Sequence, residues 1–350
     1  MKIGVICPSE IAYRRFMPAL QKCDNIEFAG VASANAEEWF GSNYELVDEK
    51  IRKEVLHREY EKAKSFVDNY GGKVYGSYTE LIKDDTIEAV YIPLPPALHY
   101  KWAKLALEEG KHVFVEKPST TNKKDTEELI AIAKEKDLAI HENYMFAFHD
   151  QLSEIKKIVD SKEIGDVRLY RIAFGFPRRL STDFRYAKAL GGGALLDCGG
   201  YTLKYASMLL GESARIAYAQ LNYIDDFEVD VYGSAALIND SGDTVQVSFG
   251  MDNSYKCDLE VWGSQGCLNT GRVLTAPAGF EPTCTITKNQ DKEERKLPAD
   301  DTFYKSLKFF EDCISDKNIR VKSYNNILRQ IYLVDDFMKK VEENGKKCEK

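Results

Sequence analysis

Short apolar segments alternate with segments of helical periodicity through the first 145 residues, and this alternation limits the fold more than any other feature. Residues 2–6 are predicted to form a buried strand, residues 11–22 a helix and residues 26–32 a second strand. This order is typical of the βαβ unit, which pairs its two strands in parallel. Further strands are predicted at 74–75, 89–92, 112–115 and 138–141, with helices at 102–109 and 125–136. We therefore expect a Rossmann-type parallel sheet with helices on both faces.

The pattern changes in the second half of the chain, where longer segments of alternating polar and apolar residues follow one another. Strands are predicted at 167–176, 217–224, 229–238, 244–249 and 257–262. Consecutive strands of this kind favour a large, mainly antiparallel open sheet. The predicted closing helix carries an apolar stripe of Ile327, Ile331, Val334, Met338 and Val341.

A chain of 350 residues is long enough for two domains. We predict an α/β protein with a dinucleotide-binding Rossmann domain over residues 1–145. Residues 146–350 are predicted to form an α+β domain for substrate binding and oligomerisation, which the last helix closes. An insertion at about 39–61 interrupts the first domain with a charged, helix-favouring stretch. It is interpreted either as a solvated surface excursion, which costs little stability, or as a lid over the cofactor.

Composition excludes several classes of function. The net charge of −8 argues against a nucleic-acid or anionic-membrane partner, since both require a basic surface. Eight cysteines without a Cys-x-x-Cys pair disfavour a zinc site and a disulfide framework, and no metal is predicted. The chain begins without a signal peptide and has no apolar run approaching about 18 residues, so we expect a cytoplasmic protein.

The turn after the first strand departs from the glycine-rich sequence that usually binds a dinucleotide pyrophosphate. Only Ala12 fits the Gly-x-Gly-x-x-Gly/Ala pattern. Pro8 lacks an N–H donor, Cys7 adds a side chain where close approach is needed, and Ser9 offers a hydroxyl in return. We expect cofactor binding with an altered phosphate geometry. The predicted contacts in this turn are Cys7, Pro8, Ser9, Glu10, Ile11 and Ala12.

The end of the second strand bears on the choice between NAD and NADP. An acidic residue there would bind a ribose 2′-hydroxyl and repel a 2′-phosphate, and Ser33-Ala34 supplies none. The cofactor is therefore predicted to be NADP or NAD, with the pattern favouring NADP and with Ser33 and Arg14 or Arg15 as phosphate partners. The loop after the fourth strand, at the edge where open α/β sheets bind ligands, adds the predicted cofactor neighbours Pro93, Leu94 and His99.

Two segments carry side chains suited to proton transfer. Lys117 follows an apolar strand in Glu116-Lys117-Pro118, and the glycine-rich run from Gly191 to Tyr201 includes Asp197. A free phenol with a pKa of about 10 is a poor base at neutral pH, but a neighbouring ammonium favours the phenolate. Considered one at a time, Lys117 is explained equally well as a lysine that faces solvent at a strand end, and Tyr201 as a half-buried tyrosine of the core. The three residues together favour catalysis, with Asp197 and Tyr201 four residues apart on one helix face.

These motifs resemble those of the Gfo/Idh/MocA oxidoreductase family. The resemblance covers nearly the whole chain and includes Ile11-Ala12, Glu116-Lys117-Pro118, the run from Gly191 to Tyr201 and the segment Trp262 to Gly266. It implies that Lys117 lies beside the nicotinamide, that Glu116 belongs to the cofactor site, that Asp197 orients the substrate and that Tyr201 exchanges a proton. Tyrosine at this position is similar to the glucose-fructose oxidoreductase, dihydrodiol dehydrogenase and nucleotide-sugar 3-ketoreductase branches rather than to inositol dehydrogenase.

The same resemblance extends to the substrate side. The segment ending in His149-Asp150-Gln151 is similar to a family segment that borders nicotinamide and substrate, and His149 is either a substrate contact or a structural histidine. Arg178 and Arg185 precede the glycine run as in nucleotide-sugar 3-ketoreductases. Their guanidinium groups are suited to sugar hydroxyls or a diphosphate, and surface arginines on a loop are the alternative.

The predicted function is an NAD(P)-dependent oxidoreductase that interconverts a hydroxyl and a ketone on a sugar or sugar nucleotide. Tyr201 would exchange the proton, Lys117 would assist it and Asp197 would orient the substrate. The alternatives are a free-aldose or trans-dihydrodiol dehydrogenase, an NAD-dependent glycosidase and a non-catalytic dinucleotide sensor. The resemblance also implies a homodimer or homotetramer formed through the open face of the second sheet.

Overall fold

The structure is a computed structural model that describes residues 1–348. The first half of the chain forms β1 (Lys2–Ile6), α1 (Met17–Leu20), β2 (Glu27–Ala32), α2 (Ala36–Phe40), α3 (Glu49–Tyr70), β3 (Lys73–Tyr75), α4 (Tyr78–Ile82), β4 (Ala89–Ile92), α5 (Pro96–Glu108), β5 (His112–Glu116), α6 (Lys123–Glu135) and β6 (Ile140–Asn143). The second half forms α7 (Asp150–Asp160), β7 (Val167–Gly175), α8 (Gly200–Leu210), β8 (Arg215–Asn222), β9 (Tyr232–Ile238), β10 (Thr244–Gly250), β11 (Lys256–Gly263), β12 (Cys267–Gly271), β13 (Thr283–Lys288), β14 (Asp291–Lys296), α9 (Thr302–Ser315) and α10 (Lys317–Cys348).

The first of two compact units is built on the six strands β1 to β6. All of them are parallel, in the order β3-β2-β1-β4-β5-β6. The residues of β4 are buried throughout, as expected for a parallel sheet with helices on both faces. The predicted Rossmann-type sheet is confirmed.

This unit comprises Met1–Thr120, Lys124–Asn143 and Phe303–Ile327, so a C-terminal segment belongs to it. The ring of Phe310 in α9 packs edge-on against Phe114 of β5, with centroids 5.4 Å apart. The prediction that placed all of residues 146–350 in the second domain therefore needs correction for Phe303–Ile327. The physical reason is that α9 buries its apolar face against the first sheet rather than the second.

The insertion covers the end of α2, a short 3₁₀ turn (Tyr44–Leu46) and the first part of α3. The side chain of Asp48 accepts hydrogen bonds from the N–H groups of Lys50 and Ile51 and so begins α3. Buried residues on α3 are Glu59, Ala63 and Phe66, whereas Leu46 in the preceding turn is 86% exposed. The insertion therefore combines an exposed first part with a helix whose later turns pack on the unit.

The second unit comprises Thr121–Lys123, Tyr144–Thr302 and Leu328–Lys350 and is built on eight strands. Their order is β14-β13-β12-β11-β7-β10-β9-β8. All neighbours pair antiparallel except β7 and β10, which are parallel. The large, mainly antiparallel sheet is confirmed. One of its faces packs against α8 and the other leaves alternate side chains exposed.

The final helix, α10, buries the predicted stripe in part. Ile327, Ile331 and Val334 are buried, while Met338 is 37% exposed. Glu349 and Lys350, which the predicted second domain included, lie outside the described residues. Between residues 1 and 348 none of the helices combines the length and the apolar character needed to cross a membrane.

Candidate active site

The turn after β1 takes the backbone shape of a glycine-rich loop although it contains no glycine. Cys7 has a φ of 83°, in the left-handed region that favours glycine, and its N–H donates to the Ala32 carbonyl at 3.2 Å. The hydroxyl of Ser9 accepts from the N–H of Ala12 at 3.2 Å. A π-helical turn, Ala12–Phe16, follows and continues into α1. The first N–H groups of such a helical segment have no intrahelical acceptor, and groups of this kind bind phosphate readily. The turn therefore fits a dinucleotide pyrophosphate.

The other side chains of the turn differ in exposure. Pro8 is buried, Ile11 is 37% exposed, and Glu10 pairs with Arg14 at 2.7 Å. Burial raises the pKa of the Cys7 thiol to about 11 against a hydrogen bond with Tyr78, so the thiol stays protonated and unreactive at neutral pH. Cofactor contacts by these side chains stay predictions.

The end of β2 receives a carboxylate that local sequence reasoning missed. Ser33 and Ala34 are buried and lack an acid, but Glu38 from α2 folds back toward this point. Its carboxylate accepts from the N–H groups of Asn35, Tyr78 and Thr79 at 2.9 to 3.1 Å. Glu38 thus joins α2 to the start of α4. Its oxygens already accept from these protein donors, so they are committed to the fold rather than to a ribose 2′-hydroxyl.

His99 connects the loop after β4 to the turn after β5. Its Nδ1 lies 2.7 Å from the Pro118 carbonyl and its Nε2 lies 2.7 Å from the Leu94 carbonyl. Two carbonyl acceptors favour a doubly protonated ring, but burial prevails and lowers the pKa of His99 to about 4. The neutral ring donates to one carbonyl at a time. His99 has no exposed surface, so its position indicates that it fixes the loop at Leu94 relative to the turn at Lys117-Pro118.

Glu116 ends β5 immediately before Lys117, and the peptide bond between Lys117 and Pro118 is cis. The Glu116 carboxylate accepts from the Tyr91 hydroxyl at 2.7 Å and from Asn143 Nδ2 at 2.8 Å. Burial raises the pKa of Glu116, while these two donors and the nearby Lys117 charge oppose the rise. The carboxylate is therefore committed to protein donors and faces inward, and a direct cofactor contact by it stays a prediction.

The glycine run is required by close backbone approach. A Cβ atom at Gly192 would lie 2.3 Å from the Arg185 carbonyl oxygen, and one at Gly193, whose φ is 121°, would lie 2.4 Å from Asp230 Oδ1. The run continues into a π-helical turn, Leu195–Gly199, and then into α8. Such π-helical turns are frequent at functional sites. Asp197 lies within this turn, and Tyr201 is the second residue of α8.

Asp197 is paired with Arg185, and the structure thus joins two of the predicted site residues. Arg185 Nε donates to Asp197 Oδ2 at 2.7 Å, and its Nη1 donates to Asp183 Oδ1 at 3.1 Å. Burial alone would lower the pKa of Arg185, but the attraction of Asp197 and Asp183 outweighs it and raises that pKa. The lasting positive charge favours ionised Asp197. Asp197 is thus suited to accept a hydrogen bond from a substrate hydroxyl rather than to donate a proton.

The ring of Tyr201 is held by other aromatic rings. Tyr144 packs edge-on against it at 5.3 Å, Phe174 edge-on at 5.4 Å, and Phe146 lies at 5.7 Å between centroids. Gln330 Nε2 donates to the Gly200 carbonyl at 2.9 Å and contacts the Tyr144 hydroxyl at 3.3 Å. These contacts fix the start of α8, and with it the direction of the phenol.

Asp230 stabilises the start of the helical segment that carries Asp197 and Tyr201. Its Oδ2 accepts from the Leu195 N–H at 2.7 Å, and its carbonyl accepts from the Ala194 N–H at 2.9 Å. A carboxylate at a helix N-terminus also interacts favourably with the positive end of the helix dipole. Desolvation nevertheless raises the pKa of Asp230 to about 6.

This raised pKa predicts a specific pH dependence of stability. Asp230 takes up its proton near pH 6 when folded and near pH 4 when unfolded, so its contribution favours folding below pH 4 and is lost as the pH rises through 6. Between pH 4 and pH 7, the free energy of unfolding of wild type should fall by about 2 kcal/mol relative to that of Asp230→Asn. Urea unfolding of both proteins at several pH values measures the difference. Asp225 is an exposed neighbouring acid, and the stability of Asp225→Asn should vary with pH as that of wild type does. If the stability of Asp230→Asn showed the same pH dependence as wild type, the raised pKa of Asp230 would be contradicted.

The two other predicted substrate residues have protein partners. Arg178 forms ion pairs with Asp226 at 3.0 Å and Asp252 at 2.8 Å. His149 is buried and begins α7, where its Nδ1 accepts from the Gln151 N–H at 3.1 Å. Both have a structural use, and their substrate contacts stay predictions.

The structure brings Arg185 together with Asp197, and Glu116 together with Lys117. Lys117 belongs to the first unit whereas Asp197 and Tyr201 belong to the second, and their joint action stays a prediction. Sequence reasoning missed Asp230 and Gln330. The available signal for Asp230 was an acid placed between Val229 and Val231 in a segment predicted to be a strand, whereas nothing in the sequence around Gln330 distinguishes it. In the part of the chain that the structure describes, no group of three or more His, Cys, Asp or Glu side chains is arranged to hold a metal ion.

Comparison with known proteins agrees with this architecture. Residues 30–144 match the family model of an oxidoreductase family with an NAD-binding Rossmann fold, and residues 152–269 match the GFO/IDH/MocA C-terminal domain. The chain belongs to the Gfo/Idh/MocA oxidoreductase family. The predicted family is confirmed, and this member is an NAD(P)-dependent oxidoreductase.

Its relatives in this family include enzymes of deoxysugar metabolism. The chain is similar to the dTDP-3,4-didehydro-2,6-dideoxy-alpha-D-glucose 3-reductases of Actinomadura kijaniata, at 35% identity over 96% of this chain and 94% of the relative, and of Streptomyces violaceoruber, at 36% identity over the same shares. It is also similar to the solved structure of KijD10, a 3-ketoreductase from Actinomadura kijaniata in complex with NADP and TDP-benzene. The TM-score is 0.85 at 35% identity, covering 96% of both chains.

Proposed function

We propose that this oxidoreductase interconverts a ketone and a hydroxyl on the sugar ring of a nucleotide-activated sugar, in the manner of the 3-ketoreductases. The observation that carries the proposal is the similarity to dTDP-sugar 3-reductases along 96% of the chain, which includes both units. Arg185, which lies in a segment that resembles that branch, supports the proposal by its ion pair with Asp197.

The proposed roles follow from the surroundings of each side chain. Tyr201, with its ring fixed by three aromatic neighbours, gives its hydroxyl proton to the substrate oxygen during reduction. Lys117 stabilises the negative charge that develops on the substrate oxygen and on the Tyr201 oxygen. Asp197, kept ionised by Arg185, accepts a hydrogen bond from a neighbouring sugar hydroxyl and orients the ring.

The dinucleotide is proposed to lie at the edge formed by the ends of β1, β2, β4 and β5. When bound, its nicotinamide supplies or accepts the hydride. The turn from Cys7 to Ala12 would hold the pyrophosphate, Ser33 and Ala34 the adenosine side, and Pro93 and Leu94 the nicotinamide side. Because Ser33-Ala34 supplies no acid and the similar KijD10 structure contains NADP, we propose that the cofactor is NADP rather than NAD.

A turnover experiment tests the proposal. Purified protein should oxidise NADPH in the presence of a dTDP-linked 3-keto-deoxysugar and return the 3-hydroxy product, with kcat/KM at least about tenfold above that with NADH. Mass spectrometry of the sugar product and absorbance of NADPH measure the two halves of the reaction. A free aldose or a trans-dihydrodiol, used with NADP⁺, should react at least about tenfold more slowly.

Other outcomes separate the alternatives. Faster turnover of the free aldose or dihydrodiol would replace the proposed substrate class. A tightly held cofactor with glycoside cleavage and no net redox change would indicate a glycosidase. If neither dinucleotide bound at millimolar concentration, the enzyme and the sensor would both be excluded.

We also propose that the protein is a homodimer or homotetramer that associates through the exposed face of the second sheet. Tyr218, Tyr232 and Trp262 are 47%, 44% and 52% exposed on strands β8, β9 and β11. Large aromatic residues on an open sheet face are typical of a protein interface. The other face of this sheet packs in the core of the unit.

A further inference from the structure

A series of buried hydrogen bonds runs from α9 to the carboxylate of Glu116 within the first unit. Asn143 Nδ2 donates to Glu116 Oε1 at 2.8 Å, and Ser306 Oγ donates to Asn143 Oδ1 at 2.8 Å. His141 Nε2 lies 2.8 Å from Ser306 Oγ. All four side chains are buried, at 9% exposure or less. A buried polar series of this kind fixes its members, because each group that loses a partner pays the full desolvation penalty.

The direction of the hydrogen bonds follows from the chemistry of the groups. The amide oxygen of Asn143 only accepts, so the Ser306 hydroxyl gives its single proton to it. Ser306 must then accept from His141, which carries a proton on Nε2. Every bond therefore points toward Glu116, which also accepts from the Tyr91 hydroxyl at 2.7 Å. This arrangement suits an ionised carboxylate.

Glu116 is sensitive to the loss of any of these donors. Burial raises its pKa, while the bonds from Asn143 and Tyr91 and the Lys117 charge lower it. The titratable groups that act on it directly are Tyr91 on β4 and Lys117 directly after β5, and His141 on β6 lies at the far end of the series. An Asn143 amide released from Ser306 would rotate and donate less well, which moves the balance toward the protonated carboxyl.

We propose that Ser306 is a positioning residue for the reaction: by fixing the Asn143 amide it keeps Glu116 ionised and in place, and Glu116 fixes the position of Lys117. This inference rests on the proposed role of Lys117. Ser306 has no exposed surface, so it acts through its neighbours rather than on substrate. His141, packed against Phe114 and Phe309, anchors the far end of the series.

Substitution at Ser306 tests the proposal through the pH profile. In Ser306→Ala, kcat should fall about tenfold with KM changed less than about twofold, and the acid limb of the kcat profile should move to higher pH because Glu116 protonates more readily. Ser306→Thr retains the hydroxyl and should restore most of kcat and the wild-type acid limb. Ser315→Ala, on the same helix but exposed, should match wild type throughout.

Two results would overturn the proposal. One is a Ser306→Ala profile that superimposes on that of wild type. The other is a loss of kcat with an unmoved acid limb and no recovery in Ser306→Thr, since a purely structural role would give that result.

A measurement on the unmodified protein keeps the inference testable if these variants fold poorly. The chain has five histidines, so ¹⁵N NMR of histidine-labelled protein can assign the tautomer of each. His141 should carry its proton on Nε2, and a proton on Nδ1 alone would reverse the direction of the series and refute the proposal. If Lys117→Ala retained full turnover, the role of Lys117 would fail whatever the tautomer. If Lys117→Ala lost turnover while Ser306→Ala matched wild type, the positioning role alone would fail.

Discussion

Replacing Tyr201 with phenylalanine should lower kcat for the sugar-nucleotide substrate by about 10²- to 10⁴-fold, the range typical for loss of a general acid. The change removes one oxygen and leaves the ring in contact with Tyr144, Phe146 and Phe174, so folding and cofactor binding should be unchanged. Steady-state kinetics, together with cofactor titration and thermal unfolding, measure the three properties. A selective loss of kcat would identify the hydroxyl as the proton donor.

Tyr205→Phe is the matched control for this variant. Tyr205 lies one helical turn further along α8, is buried, and has a pKa that burial raises, so its hydroxyl stays protonated and away from the proposed chemistry. Wild-type kcat is expected for Tyr205→Phe. Wild-type kcat in Tyr201→Phe would instead transfer the proton exchange to another group and leave Tyr201 as a packing residue.

The first sheet was predictable because its strands are short, apolar and separated by segments of helical periodicity. The residues of β4, Ala89–Ile92, are all buried, so burial on both faces produced the same continuous apolar run in the sequence. The edge strand β14 of the second sheet lacks such a signal. In β14, Asp291–Lys296, nearly every side chain is charged and exposed, so the strand exists because its backbone pairs with β13.

The site shows the same division between local and distant information. Lys117 and Asp197 were found because each lies at a recognisable junction, the end of a strand and a glycine-rich turn. Their supporting residues come from remote segments: Asp230 reaches Leu195, Gln330 reaches Gly200, and Ser306 reaches Asn143. These contacts between distant residues depend on how the chain folds back on itself. The clearest example is α9, which follows the second sheet in the sequence but belongs to the first unit. Local periodicity contains no information about them.

Replacing Lys117 with alanine should lower kcat by about 10²- to 10³-fold, since loss of one group that stabilises developing negative charge typically has this cost. Lys117 is the cation next to the buried Glu116, and its removal leaves that carboxylate without an adjacent positive charge. NADPH affinity should change much less than kcat if the lysine acts mainly on the reacting oxygens. Steady-state kinetics and equilibrium cofactor titration separate the two effects.

Added alkylammonium ions provide a sharper test of the same role, because a small cation that enters the space left by the side chain should restore part of kcat in Lys117→Ala and leave wild type unaffected. Lys104→Ala is the matched control, since the Lys104 ammonium pairs with Glu128 on the surface and such pairs contribute little. Full turnover by purified Lys117→Ala would refute the assignment. A loss without rescue, accompanied by weakened NADPH binding, would instead show that the lysine serves the cofactor, and Tyr201 would then need another source of positive charge.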